Sequence, residues 1–261
     1  MKASAFFVAA LLAVSGNLPS RVSSMQIQAS GDVATPGAIE LSEKARLSDA
    51  ALAAHVQADA YMVGAAWLRP SLQVEQQRQK AGLLFDLDSV RRQALKDGQD
   101  ELATLSQSLG AWLQAMPVTG RQVALLDPRA VEVTPMENRP VAEGDTLYYP
   151  TRPATIQVVG AVAQRCELPF VALRDARDYL KACPTLVVAD ADSIFVIQPD
   201  GRVFRQNVAL WNRSAPMPLA PGAVIYVPIG EHRLHGVAPG LNNELAAFLA
   251  TQPIAIPESA R

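Results

Sequence analysis

Between residues 154 and 228 apolar and polar positions alternate in short runs separated by turn residues, the period expected of half-buried strands. Thr155-Ile-Gln-Val-Val-Gly-Ala-Val162 opens the stretch as a strand. Leu173-Arg-Asp-Ala-Arg-Asp-Tyr-Leu-Lys-Ala-Cys183 reads as a short helix. Ser193-Ile-Phe-Val-Ile197, the turn Pro199-Asp-Gly-Arg202 and Val203-Phe-Arg-Gln-Asn-Val208 read as a hairpin, and Leu219-Ala-Pro-Gly-Ala-Val-Ile-Tyr-Val-Pro228 closes on a last strand. A strand, a helix, a hairpin and a final strand make a small sheet with one helix on a face, a β-grasp-like module.

Parts of the pattern recur upstream. After a polar leader, Pro36-Gly-Ala-Ile-Glu-Leu-Ser42 begins a strand, and Arg46-Leu-Ser-Asp-Ala-Ala-Leu-Ala-Ala54 reads as a helix that Ser48 or Asp49 can cap. Its Leu47, Asp49 and Ala50 match Leu173, Asp175 and Ala176. Ala142-Glu-Gly-Asp-Thr-Leu-Tyr-Tyr-Pro150 likewise matches Ala220–Pro228. Landmarks repeated in one order indicate an internal duplication, with about 48 extra residues expected between the helix and the hairpin of the first copy. Arg121-Gln-Val-Ala-Leu-Leu-Asp-Pro128 and Val131-Glu-Val133 are the expected first-copy hairpin. The extra residues read as helix. Leu83, Leu87, Val90 and Ala94, then Leu102, Leu105, Leu109, Trp112 and Met116, step by threes and fours around an Asp97-Gly98 turn. Two such stripes bury against each other as an antiparallel hairpin. At the end of the chain Leu241, Leu245, Phe248 and Leu249 share one face of a short helix, which must bury that face on its own chain, on a partner or on a membrane surface. The expected fold class is therefore α+β. Two β-grasp domains, 25–153 and 154–230, are followed by a tail, 231–261, with an amphipathic helix at 240–252. The helical hairpin, at about 69–117, interrupts the first domain.

Composition narrows the setting. A net charge of −2 gives no basic face for nucleic acid and no polybasic patch for lipid, so at most peripheral membrane association is expected. Lys2 followed by Ala5-Phe-Phe-Val-Ala-Ala-Leu-Leu-Ala-Val14 has the parts of a secretory signal, expected to occupy 1–24. Ten apolar residues are too few to span a bilayer. Export makes a disulfide between Cys166 and Cys183 chemically permissible, worth about 3 kcal/mol by loop closure, against the alternative of two buried thiols.

Chemistry is sparse. His232 and His235 have a metal-like spacing but no evident third ligand, so neither a metal nor a cofactor is expected. The sequence has no Gly-rich phosphate loop, His-Glu-x-x-His or Gly-x-Ser-x-Gly. Pro117-Val-Thr-Gly-Arg121 runs from the helical insert into a strand, where the Arg121 guanidinium can either bind a carboxylate or phosphate bidentately or pair with a local carboxylate. Trp67, Trp112, Trp211, Tyr148 and Tyr149 are either sugar-stacking surfaces or core.

The second module resembles the soluble-ligand-binding β-grasp (SLBB) unit of bacterial polysaccharide export proteins. The resemblance lies in Val159-Gly-Ala-Val162, Leu173-Arg-Asp-Ala176, Val196-Ile-Gln-Pro-Asp-Gly201 and Leu219-Ala-Pro-Gly222. The usual Pro-Gly after the first strand is replaced by Gln164-Arg-Cys-Glu-Leu-Pro169, and the usual Gly-Asp by Gly222-Ala223. Over nearly the whole chain the sequence is more similar to the GfcC family of capsule and exopolysaccharide biosynthesis proteins. That similarity rests on Asp59-Ala-Tyr61, Gly64-Ala65, the helical insert, Leu113 with Pro117-Val-Thr-Gly-Arg121, and the terminal helix. The resemblance implies a non-enzymatic periplasmic protein of a Gram-negative bacterium, with polysaccharide or an outer-membrane export protein as partner. It also implies a ligand pocket at Arg121, for which Thr119, Trp67 and Tyr61 are the neighbouring candidates, and a partner-binding face at Leu241, Leu245, Phe248 and Leu249. A polysaccharide-modifying enzyme with its site around Arg121 and a purely structural adaptor are the alternatives.

Overall fold

The structure, a computed structural model, describes residues 24–234 and 236–254. The expected secretory segment, apart from Ser24, lies outside the described residues, as does His235.

Two five-stranded sheets share one topology. In the first, β1 (Ser24–Gly31) pairs antiparallel with β2 (Gly37–Ser42) and parallel with β5 (Thr146–Tyr149). β3 (Ala66–Leu68) pairs antiparallel with β5 and with β4 (Arg121–Gln122), giving the order β2-β1-β5-β3-β4. In the second, β6 (Thr155–Gly160), β7 (Cys166–Pro169), β8 (Ser193–Ile197), β9 (Val203–Asn207) and β10 (Val224–Val227) take the order β7-β6-β10-β8-β9. The last strand again lies between the first and third, parallel to the first. A helix follows the second strand in each module, α1 (Leu47–Ala54) and α5 (Ala176–Leu180). These are two β-grasp-like modules.

Three sequence expectations need correction. The "polar leader" is strand β1, whose Met25, Ile27 and Ala29 point inward between exposed Gln26 and Gln28. The first-copy hairpin is not Arg121–Pro128 with Val131–Val133. Its outgoing strand is β3, before the insert, and only Arg121–Gln122 forms the return strand. The helical insert thus sits inside the hairpin turn, where the second copy has only Gln198–Arg202. Val131 instead lies in α4 (Pro128–Glu132), started by Asp127, whose carboxylate accepts from the Arg129 and Ala130 amides at 3.0 and 3.3 Å, with Pro128 at the first helical position. Finally, α5 begins three residues later than expected. Leu173 has φ 61°, outside helical backbone, and Asp175 caps the helix by accepting from the Arg177 amide at 3.1 Å.

The insert is the expected antiparallel pair, α2 (Pro70–Lys96) and α3 (Asp100–Ala115), joined at Asp97-Gly98. Leu83, Leu87, Val90 and Ala94 meet Leu102, Leu105, Leu109 and Leu113, all buried, while Trp112 and Met116 are only half-buried at the margin. This seam does not seal itself alone. It is continuous with the core of the second module, including Val159, Tyr226 and Ile229, whereas the first module keeps a separate core around Ile27, Leu47, Trp67 and Tyr149. A segment threaded from one module therefore buries its apolar face on the other. The terminal helix α6 (Leu241–Ala250) lies on α2, β8 and β9. Its Leu241, Leu245, Phe248 and Leu249 are buried in that same core, so the face assigned to a partner is occupied by the chain itself. Cys166 and Cys183 form a disulfide that closes 17 residues and ties edge strand β7 to the end of α5.

Candidate functional site

The return from α3 into β4 is built around Gly120. With φ +71°, it approaches the chain so closely that a Cβ would lie 2.1 Å from the Arg69 carbonyl oxygen, which requires glycine. Arg69 donates its amide to the Gly120 carbonyl at 3.0 Å. Gln76 of α2 seals the turn, accepting from the Gly120 amide at 2.8 Å and donating to the Arg121 carbonyl at 3.1 Å. The Thr119 hydroxyl donates to the Thr251 carbonyl at 2.7 Å and accepts from the Arg121 amide at 3.1 Å.

These contacts aim the Arg121 side chain into the junction between the modules. The residue is 6% exposed. Its guanidinium donates to the carbonyls of Ala65 (3.3 Å), Ala250 (3.3 Å) and Gln252 (3.4 Å), and to that of Pro199. The acceptors belong to the approach to β3, the C-terminal end of α6 and the β8–β9 turn. Two of them lie at a helix C-terminus, where the macrodipole favours a cation. Burial pulls the Arg121 pKa down to about 10, opposed by the nearby Asp200 carboxylate, so the group stays charged at neutral pH. Arg121 thus faces neither an open cleft nor a paired carboxylate. Nε alone has no partner among the described residues, and it too is buried.

The residues expected around Arg121 are also structural. Tyr61 donates its hydroxyl to the Pro221 carbonyl at 2.9 Å, a second tie between modules, and burial pushes its phenol up to about 12. Trp67 is fully buried, donates Nε1 to Asp145 at 2.9 Å and carries the Arg69 guanidinium 4.3 Å from its ring centroid. Asp145 also accepts from the Ala142 amide at 2.9 Å, so the Gly144-Asp145 pair serves this tryptophan. The second copy has Ala223 at the corresponding place. The structure thus brings Arg121, Thr119 and Tyr61 to one junction and leaves Trp67 in the core. None of the four presents a binding face to solvent. Among the described residues no three His, Cys, Asp or Glu side chains are grouped to hold a metal ion.

Open space lies along α3, apolar over most of its lining and edged by polar side chains. Asp100, Thr104, Ser108 and Trp112 recur one helical turn apart and flank a cavity of about 510 Å³, closed on the other side by the β6–β7 turn, Gly160 to Arg165. Leu105, Leu109 and Leu186 supply its apolar lining. Glu101 accepts from the Val188 amide at 3.2 Å, and the exposed Arg165 guanidinium lies 5.2 Å from the Trp112 ring centroid. A second cavity, about 360 Å³, also includes Trp112 and continues to Thr155, Gln157 and Glu167. A cleft of about 700 Å³ between the modules has Met62, Val63, Val123 and Leu125 in its floor, with polar and apolar lining in nearly equal shares. Charged groups there are engaged with neighbours: Arg202 pairs with Asp200 at 2.6 Å, and Arg139 donates to the Val123 carbonyl at 2.7 Å. The sequence placed Trp112 in the helical seam, with sugar stacking as the alternative, and did not show the α3 groove. Asp100, Thr104 and Ser108, spaced by four beside the leucine stripe and leading to Trp112, were the available signal.

Paired β-grasp-like modules, a helical hairpin threaded through one turn and a terminal helix laid across it define a two-module α+β class of protein. Residues 26–152 match the family model described as "Capsule biosynthesis GfcC, N-terminal", and residues 164–254 match "Capsule biosynthesis GfcC C-terminal". The chain belongs to the GfcC family. Among its relatives is a protein of Escherichia coli (strain K12) named "Uncharacterized protein YjbG", 32% identical over 172 residues, 66% of this chain and 68% of the relative.

Proposed function

We propose that this protein is an exported accessory factor of capsule or exopolysaccharide biosynthesis that binds polysaccharide in the periplasm without turning it over. The observation that carries the reading is the α3 groove. Hydroxyl, carboxylate and amide side chains there edge an apolar floor that ends at an indole, and hydrogen bonds from Arg121 and Tyr61 tie the two modules together. Aromatic faces flanked by fixed polar groups suit sugar rings, which are apolar on their faces and hydroxylated at their edges. The disulfide supports export to an oxidising compartment, and no described helix is long and apolar enough to cross a membrane. Contact with an outer-membrane export protein is a second reading, favoured by Leu210 and Trp211, which project from the loop after β9 with Trp211 77% exposed.

The test is incubation of purified protein with the extracellular polysaccharide of the bacterium that encodes it. Retention of the protein by the polymer, with no release of reducing ends, is expected. Release of reducing ends would establish an enzyme instead.

A further inference from the structure

We propose that the two cavities flanking Trp112 form one track that holds an internal segment of a linear, predominantly uncharged polysaccharide, with the indole as the stacking surface at its middle. This rests on the polysaccharide-binding reading above and specifies where the polymer lies and what kind of chain it is. Trp112 lines both cavities, so the space runs past its ring in two directions. From Asp100 to Trp112 the α3 ladder extends about 18 Å at the helical rise, room for several sugar units. Beyond Trp112 the wall passes to β6 and β7, where Gln157 and Glu167 are exposed. A site for a chain end would close at one side of its stacking surface. This one continues.

The charges select the polymer. Asp100, Glu101 and Glu167 line the track, with Arg165 as its cation. Three carboxylates against one guanidinium repel a densely carboxylated chain while offering acceptors to sugar hydroxyls. Arg165 lies over the Trp112 ring, and as an exposed side chain it forms only a weak cation–π contact. It can move aside for a sugar face and return as a planar donor to ring and hydroxyl oxygens.

The experiment is affinity electrophoresis in gels containing the extracellular polysaccharide of the source bacterium, native or with its carboxyl groups chemically reduced. Wild-type protein should be retarded by both polymers, by the reduced one at least as strongly. Trp112→Ala should weaken retention about tenfold, the scale of one lost stacking contact. Phe85→Ala, an exposed aromatic of α2 outside the track, should behave as wild type. Ser108→Arg at an exposed position blocks the track without entering the core, and it should weaken retention even if Trp112→Ala proves unstable. Circular dichroism and melting confirm that each variant is folded. If wild-type protein is retarded and folded Ser108→Arg and Trp112→Ala are retarded equally, the track is refuted while polysaccharide binding stands. If retardation disappears on carboxyl reduction, the uncharged-chain assignment is refuted. If wild-type protein is not retarded by either polymer, both readings fail.

Discussion

Replacing Arg121 with methionine keeps much of the side-chain volume and removes the charge and all donors. In the native protein the guanidinium serves four backbone carbonyls from three separate segments. At the lower end of the range for charged hydrogen bonds, about 1.5 kcal/mol each, these contribute roughly 6 kcal/mol. Burial works against them. The fall in pKa from 12.5 to about 10 corresponds to about 3 kcal/mol of lost hydration. The net loss on substitution is then about 3 kcal/mol, rising toward 5 if the carbonyls are left buried and unpaired. For a chain of this size that lowers the melting temperature by roughly 10 °C. Thermal and urea unfolding followed by circular dichroism measure it. Limited proteolysis should show earlier cleavage around 250–254 and the β8–β9 turn. A variant that melts within about 1 kcal/mol of wild type yet no longer binds polysaccharide would refute the strut and restore Arg121 as a ligand group.

Four further outcomes are expected. Cys166→Ser with Cys183→Ser should lose about 3 kcal/mol in urea unfolding, the loop-closure value for 17 residues, and the unreduced wild-type protein should show no titratable thiol under denaturing conditions. Asp145→Ala strips Trp67 and the Ala142 amide of their acceptor and should cost about 2–4 kcal/mol, with a shift in the fluorescence of the buried indole. Phe248→Ala should cost about 3–5 kcal/mol, because α6 lies in the core; a variant that melts as wild type would return that face to a partner role. Alkaline stability follows from tyrosines: burial raises Tyr61 to about 12 and also raises Tyr148, Tyr149 and Tyr226. The unfolded chain ionises these groups from about pH 10 while the native one keeps its protons, so their contribution is complete below pH 10 and lost as pH rises through the folded values. Arg121, lowered by burial, acts in the opposite sense above its native value of about 10, but it is one group against four. Phenolate absorbance should therefore rise together with unfolding rather than ahead of it.

How much of this was legible depended on local signals. The helical insert announced itself through two leucine-rich seams and an Asp-Gly turn, and the second module through alternation in Ser193–Ile197 and a Pro-Asp-Gly turn. The first module was harder because β3 has three residues, all buried, too short to show a period of two. Its hairpin partner lies beyond the helical insert, so a search for adjacent strands looked downstream and found α4. Arg121 was legible as unusual but not as a strut. Its acceptors are main-chain carbonyls at positions 65, 199, 250 and 252, and a carbonyl has no side-chain signature. The face of α6 was readable as apolar, but the seam it would meet could not be known before the hairpin was seen to fold onto the second module. Trp112 suited the heptad spacing, yet Leu113 takes the inner position and turns the indole toward the groove.

Hydrogen–deuterium exchange with and without bound polysaccharide tests most directly where this protein meets its ligand. Slowed exchange at the exposed part of the β6–β7 turn, residues 163–165, and at the start of α3 is expected. The Thr119–Arg121 return, which lines neither cavity of the track, should be unchanged. Protection confined to 119–121, with none along α3 or in the β6–β7 turn, would contradict the account and move the site back to the junction.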